Sequence, residues 1–203
     1  MKNEDSHRYE GEPLRFYDFT KEILVVCPKC DKAAKVDIPW PLKQSEAKLT
    51  CLHCHWRETM EDRKRYRISS KAICRECRTP LISDIQERKR IPSFARVVCH
   101  KCHTENRISE NLEDYTLKYN ESGIIDPAFG LPLYFQDEVR GNVIWALNRE
   151  HLMEIRNYVA AKLRERTTTR FNMTMVERLP EFIKLAANRQ AVLDALDRML
   201  LGL

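Results

Sequence analysis

Apolar and polar residues alternate in two different ways along this chain of 203 residues. In the first half, short β-branched and apolar runs at residues 23–26, 48–50 and 95–98 each end directly at a cysteine, and Ala72-Ile73 leads into Cys74 in the same manner. Runs of that length and composition predict strands of small sheets. Beyond Gly123 the pattern changes and apolar density rises. Asp126-Pro127 to Leu131-Pro132 is a turn-rich entry, and residues 133–135 and 142–147 flank a polar stretch 136–141, which predicts a β-hairpin closed by Gly141. Leu152, Ile155, Val159 and Leu163 then recur at spacings of three, four and four. They make one apolar face of a helix capped by Asn148 and running to about Arg166, where Thr167-Thr168-Thr169 breaks it. Pro180 opens a short helix carrying Phe182, Ile183 and Leu185, and Asn188 caps a last helix with Val192, Leu196, Met199 and Leu200 inward.

The cysteines turn the first half into a metal-binding pattern. All eight fall between Cys27 and Cys102, in four Cys-x-x-Cys pairs: Cys27/Cys30, Cys51/Cys54, Cys74/Cys77 and Cys99/Cys102. One such turn brings two thiolates close enough to share a zinc ion, and a second turn about twenty residues on completes a tetrahedral four-thiolate site. The stretch is also an internal repeat. The first two pairs recur 47 and 48 residues later, and Asp37-Ile38 recurs as Asp84-Ile85, so each copy reads as strand, knuckle, strand, polar excursion, strand and knuckle. These features resemble zinc ribbons of the transcription-factor-IIB type over residues 23–107, which implies two knuckles clamping one metal at the base of a small β-sheet.

Other ligations fit the spacing poorly. Cross-braced RING or LIM modules need the second and third pairs almost adjacent, whereas Cys54 and Cys74 are well separated. Redox Cys-x-x-Cys motifs occur singly before a helix in a βαβ pattern that is missing here. His53, His55, His100 and His103 crowd the second knuckles, but with four thiolates per site they are expected beside the metal or exposed to solvent.

The fold class expected is therefore α+β: two tandem zinc ribbons followed by a mainly helical domain with a hairpin. The divisions read from composition are a mobile segment 1–20, ribbons at 21–67 and 68–110, and the helical domain at 111–203. Residues 1–13 are polar and acidic on balance, while Leu14, Phe16, Tyr17 and Phe19 are too apolar for a free linker and are expected to dock. The ribbons hold few large apolar residues, so the metal must supply stability, typically about 10 to 16 kcal/mol per structural zinc. No apolar leader follows Met1 and no apolar run approaches a membrane span, so a cytoplasmic, reduced setting with no membrane partner is expected.

Charge sharpens the functional reading. The formal net charge is +5, and each zinc with four thiolates subtracts two, leaving about +1. Residues 21–110 hold twenty Lys/Arg against twelve Asp/Glu, so the basic excess sits on the ribbons even after zinc binds. It concentrates in Arg63, Lys64, Arg65, Arg67 and Lys71, and in Arg88, Lys89, Arg90 and Arg96, each run accompanied by an aromatic residue, Tyr66 or Phe94. Clustered guanidinium and ammonium groups beside rings suit a phosphate-tracking surface, with Trp40 and Trp56 as further stacking platforms. A patch for an acidic protein or a solvated rim has the same composition. Lys162, Arg164, Arg166 and Arg170 form a second basic strip that either extends such a surface or pairs with nearby acidic residues.

The C-terminal half resembles a module found in bacterial proteins described only as zinc-ribbon-containing. The resemblance covers residues 130–200 and rests on Trp145, Asn148, His151, Leu152, Lys162, Arg164, Arg166, Leu179, Pro180, Lys184, Asn188 and Arg189; it implies an architecture and no chemistry. His151 and Glu154 stand three apart on a predicted helix, a spacing that can serve a metal or acid–base work. No second His-carboxylate pair, Gly-rich loop or serine elbow accompanies them, so no enzyme and no small-molecule substrate is expected. Two readings stay open: nucleic-acid binding through the basic loops, or a protein adaptor or regulator, inhibitor-like, that holds a partner.

Overall fold

The period-two pattern of the first ribbon becomes a sheet whose inner face leads into the metal ligands. The computed structural model describes residues 9, 13–68, 71–82, 93–109, 112–161 and 174–202. Strands β1 (Glu22–Val26), β2 (Ala33–Asp37), β3 (Lys48–Cys51) and β4 (Arg57–Thr59) form one sheet in chain order. β2 runs antiparallel to both β1 and β3, with Ile23 and Leu49 each opposite Val36. Ile23, Val25, Ala34, Val36 and Leu49 are buried, and the same alternation carries Cys27 and Cys51 inward.

The outer edge of β1 is closed by the C-terminal half. Leu24 N–H donates to the Leu147 carbonyl (2.7 Å), Val26 N–H to the Pro132 carbonyl (2.9 Å), and Tyr134 N–H to the Leu24 carbonyl (2.9 Å). These bonds satisfy backbone groups that an edge strand would leave open. The partner segment is set by Asp126, a carboxylate with no exposed surface. Its Oδ1 accepts from the N–H groups of Ala128 (2.9 Å) and Phe129 (2.8 Å), and its Oδ2 from that of Leu131 (2.7 Å).

The expected hairpin forms, shifted along the chain. β9 (Phe135–Val139) pairs with β10 (Asn142–Ala146), so most of the polar stretch 136–141 is strand. Arg140 and Gly141 alone make the turn, with φ of 51° and 76°, the two left-handed positions of a two-residue loop that matches strand twist. Asn148 caps helix α1 (Arg149–Ala160) as expected, its Oδ1 accepting from His151 N–H at 2.9 Å. Its amide also donates to the carbonyls of Phe19 (2.9 Å) and Glu22 (2.8 Å).

Leu152, Ile155 and Val159 are buried, but α1 ends at Ala160, with Ala161 already extended, short of Arg166; Leu163 lies outside the described residues. A four-residue helix α2 (Glu181–Lys184) follows Pro180, and α3 (Arg189–Leu201) follows Asn188. Asn188 makes no side-chain cap; it accepts from Arg140 (2.8 Å) and donates to the Phe182 carbonyl (2.9 Å) instead. Val192, Ala195, Leu196 and Met199 are the buried face of α3, which packs on α1 and β9, while Leu200 is half-buried. The N-terminal approach is docked where it is described: Phe19 is buried, the Leu14 carbonyl accepts from Met175 N–H (2.9 Å), and the Tyr9 hydroxyl donates to Glu154.

Packing divides the chain at points other than those composition suggests. One compact unit joins Met1–Glu58 to Asn120–Leu203, and the other is Thr59–Tyr119. The reason lies in strand pairing. β5 (Lys64–Ile68), at the end of the first predicted ribbon, pairs antiparallel with β8 (Leu112–Thr116), beyond the second. β6 (Ala95–Val98) pairs with β7 (Glu105–Ile108). Ala72-Ile73 forms an isolated bridge from Ile73 to Pro80 in place of a strand, and Asp84-Ile85 lies outside the described residues. A small cluster of Ala72, Cys74, Leu81, Val97 and Cys99 is buried at the second metal site. No helix among the described residues is long and apolar enough to cross a membrane.

Candidate metal centres and the arginine surface

Four sulfurs converge in each ribbon, paired in sequence order. In the first, Cys27 Sγ lies 3.7 Å from Cys54 Sγ and Cys30 Sγ 3.7 Å from Cys51 Sγ. In the second, Cys74 to Cys102 and Cys77 to Cys99 are both 3.6 Å. All four sulfurs of a cluster lie within 4.8 Å of one another, and all eight cysteines are free. Zinc–sulfur bonds of about 2.3 Å in a tetrahedron place the sulfurs about 3.8 Å apart, whereas a disulfide needs about 2.05 Å. The spacing fits two structural four-thiolate zinc ions.

The knuckles are built alike. Each first cysteine donates its N–H to the carbonyl five residues on: Cys27 to Lys32 (2.9 Å), Cys51 to Trp56 (2.8 Å), Cys74 to Thr79 (2.8 Å) and Cys99 to Thr104 (3.0 Å). The residue after each second cysteine is left-handed, with φ of 58° at Asp31, 60° at His55, 62° at Arg78 and 58° at His103. That conformation costs an L-residue roughly 1 kcal/mol, and holding two thiolates on one ion offsets it. His55 and His103 thus serve as turn residues. His53 and His100 share their exposure, and none of the four belongs to a cluster.

Thiols this close cannot all ionise without a cation. Burial pushes Cys27 up, with its thiol neighbours adding to the rise. At Cys51 burial acts the same way, but N–H groups of Cys54 and His53 outweigh it and lower the thiol to about 7. At Cys74 the Cys77 N–H is the largest influence; it acts against burial, with help from Glu76 N–H and the Asn106 side chain, and the thiol falls to about 6.

The two sites differ in what surrounds the sulfur, a feature that sequence reading passed over. Buried Asn106 points its amide at Cys74 Sγ (3.5 Å) while its oxygen accepts from Arg75 N–H (2.9 Å). The hydroxyls of Thr79 and Thr104 lie 3.2 and 3.4 Å from Cys77 and Cys102 Sγ, positioned to donate to the thiolates. The corresponding positions of the first copy are Lys32, Trp56 and Glu58. The repeat shift alone could have exposed the contrast, because only the second copy has neutral donors at all three.

Most of the expected binding residues have partners in the protein itself. Arg63 Nε donates to the Leu117 carbonyl (2.8 Å) and its guanidinium lies 3.9 Å over Tyr119. Lys64 pairs with Glu61, and Arg65 donates to the carbonyls of Asp62 (2.9 Å) and Lys64 (2.8 Å). Arg67 stands 3.5 Å from Glu113 and 5.7 Å from the Tyr115 ring. Lys71 is exposed. Arg88, Lys89 and Arg90 lie outside the described residues, as do Lys162, Arg164, Arg166 and Arg170. Trp40 is 64% exposed, its ring 6.3 Å from that of Tyr17. Trp56 is half-buried under Lys29, 4.7 Å from its ring.

Arg96 is arranged differently. It sits directly opposite Arg107 across β6 and β7, both exposed, and both guanidiniums lie against the Phe94 ring at 5.8 and 3.7 Å. Arg107 was missed in the sequence because it stands outside both basic runs; only strand register brings it to Arg96. Comparison with protein-family models, curated proteins and solved structures finds no match for this chain.

His151 is buried at the third position of α1 and Glu154 bonds Tyr9, so the two do not form a His-carboxylate pair in the hydrogen bonds described. Its Nδ1 accepts from Leu147 N–H (3.1 Å) and its ring stacks on Phe19 at 4.9 Å. Burial lowers its pKa to about 4 from an ordinary 6.5. Between those values the unfolded chain binds a proton that the folded chain refuses, so stability is full above pH 6.5 and falls as pH drops toward 4, by about 3 kcal/mol. An NMR titration of His151 is expected to show a midpoint near 4, and a midpoint near 6.5 would contradict this account of the site.

Proposed function

We propose that the protein is a non-enzymatic, zinc-stabilised nucleic-acid-binding protein that contacts phosphates through the arginine face of its second ribbon. The observation that carries this reading is the Arg96/Arg107 pair. Like charges directly opposite one another across an antiparallel ladder destabilise a sheet, and a binding role gives this arrangement a use. A guanidinium stacked on a ring spends its face and keeps its in-plane N–H groups for phosphate oxygens. Glu105 lies 3.5 Å from Arg96, but both side chains are largely exposed (71% and 60%), so that pair contributes little and phosphate can replace it. Arg67 beside Tyr115 repeats the guanidinium-on-ring theme across β5 and β8, and Arg63 beside Tyr119 repeats it just outside those strands.

The test is fluorescence anisotropy of the zinc-loaded chain with mixed-sequence single- and double-stranded oligonucleotides across a salt series. Arg107→Glu is expected to weaken binding about tenfold and to reduce the salt slope by about one. Affinity indifferent to salt and to this substitution would end the nucleic-acid reading. The adaptor reading draws instead on the first unit, where Leu52 and Trp40 are 79% and 64% exposed, apolar surface that a protein could cover. It predicts a bound protein that survives nuclease and about 0.5 M salt, a concentration that screens exposed charge contacts.

A further inference from the structure

A cavity of about 360 Å³ opens in the first unit, walled by Phe16, Trp145, Met175 and Ile183, with His151 and Arg178 also on its lining. Its size falls at the lower end of small-molecule sites, which run from about 300 to 1,000 Å³. The polar content of this wall is one-sided. His151 Nδ1 already accepts from Leu147 N–H, so the neutral ring carries its proton on Nε2. Among the described residues nothing accepts from that N–H, although the side chain is only 2% exposed. The rings of Phe16 and Trp145 stand edge-on to the imidazole at 5.9 and 6.0 Å and offer it no acceptor. Arg178 is exposed and forms no ion pair among the described residues. Among the described residues, no carboxylate, amide or hydroxyl side chain lines the cavity.

We infer that this cavity binds a small carboxylic acid with an aromatic or branched apolar body. The apolar wall takes the body, and the carboxylate accepts from His151 Nε2–H and pairs with Arg178. A nearly buried donor without a protein partner is costly to leave unpaired, and a charged acceptor satisfies it best. A neutral hydrocarbon would leave the imidazole N–H unpaired, and a cation would meet the guanidinium of Arg178 with no acceptor side chain among the described lining residues. The ligand is bound and not transformed, so the inference stands apart from the nucleic-acid reading.

The zinc-loaded full chain is titrated at pH 7 with 3-phenylpropionate and, separately, with its neutral isostere 3-phenylpropionamide, following the Trp145 indole N–H resonance. The acid is expected to produce a saturable shift and to bind at least tenfold more tightly than the amide. Arg178→Leu, at an exposed position, is expected to leave Tm unchanged and to weaken the acid to the level of the amide. Val143→Trp, which narrows the cavity from its wall, is expected to abolish both shifts. The inference is overturned if neither compound gives a saturable shift, if acid and amide bind equally, or if Arg178→Leu leaves the acid unaffected.

Discussion

Removing zinc with a chelator under reducing conditions is expected to unfold the second unit entirely while α1 and α3 of the first unit keep their structure. The two units depend on metal to different degrees because their cores differ. In the second, the cluster described at the metal site consists of Ala72, Leu81 and Val97 with Cys74 and Cys99, so two of its five members are zinc ligands, and Tyr66 adds a buried ring on β5. Among its described residues the sheets are two-stranded pairs, which are marginal without further support. Binding of about 10 to 16 kcal/mol per zinc exceeds or matches the whole stability of an ordinary domain, about 5 to 15 kcal/mol.

In the first unit the buried residues Phe129, Phe135, Ile144, Leu152, Val192 and Leu196 owe nothing to sulfur, and β1 is bonded on its outer side by residues 132, 134 and 147. Amide hydrogen exchange on the metal-free chain checks this. Residues 95–98 and 105–108 should exchange at unprotected rates, and the interiors of 149–160 and 189–201 slowly. Protection surviving in β6 and β7 without zinc would show that the metal does not hold that unit together. Cys74→Ser and Cys51→Ser then separate the contributions of the two sites.

The second large effect is expected at a residue with no bearing on metal. Asp126→Ala should destabilise the first unit by about 3 to 5 kcal/mol, because it leaves three backbone N–H groups facing a void. Asp126→Asn should recover only part of that. An amide oxygen can still serve Ala128 and Phe129, but its NH2 would then confront the Leu131 N–H now bonded at 2.7 Å. Urea unfolding followed through helix signal measures both variants, and a loss below about 1 kcal/mol for the alanine variant would show that the loop holds its shape by other means.

What the sequence disclosed follows from where its physics is local. Ligand spacing is local, so the Cys-x-x-Cys pairs and their order of pairing could be read directly. The Asn148 cap and the Leu152, Ile155 and Val159 face are also local, fixed by one turn of helix. The partition of the chain was not legible, because β5 meets β8 across more than forty residues and because the bonds closing β1 come from main-chain groups at 132, 134 and 147 that carry no compositional signal. The hairpin was placed but shifted, since Gln136, Asp137 and Glu138 are polar as loop residues are, yet belong to a strand with one wet face. Asn106 and Arg107 escaped notice for a related reason: the first acts through a sulfur thirty-two residues away and the second through the Phe94 ring, which stands just ahead of the neighbouring strand.

The division of the chain changes the meaning of the repeat. The polypeptide leaves the first unit at Glu58 and re-enters it at Asn120, so the later copy is an insert within a body that closes around it in sequence. Two copies of one pattern therefore live under unequal constraint. Substitutions along residues 22–26 must satisfy two neighbouring layers at once, whereas the insert answers chiefly to its own ion and is freer to acquire new surface chemistry.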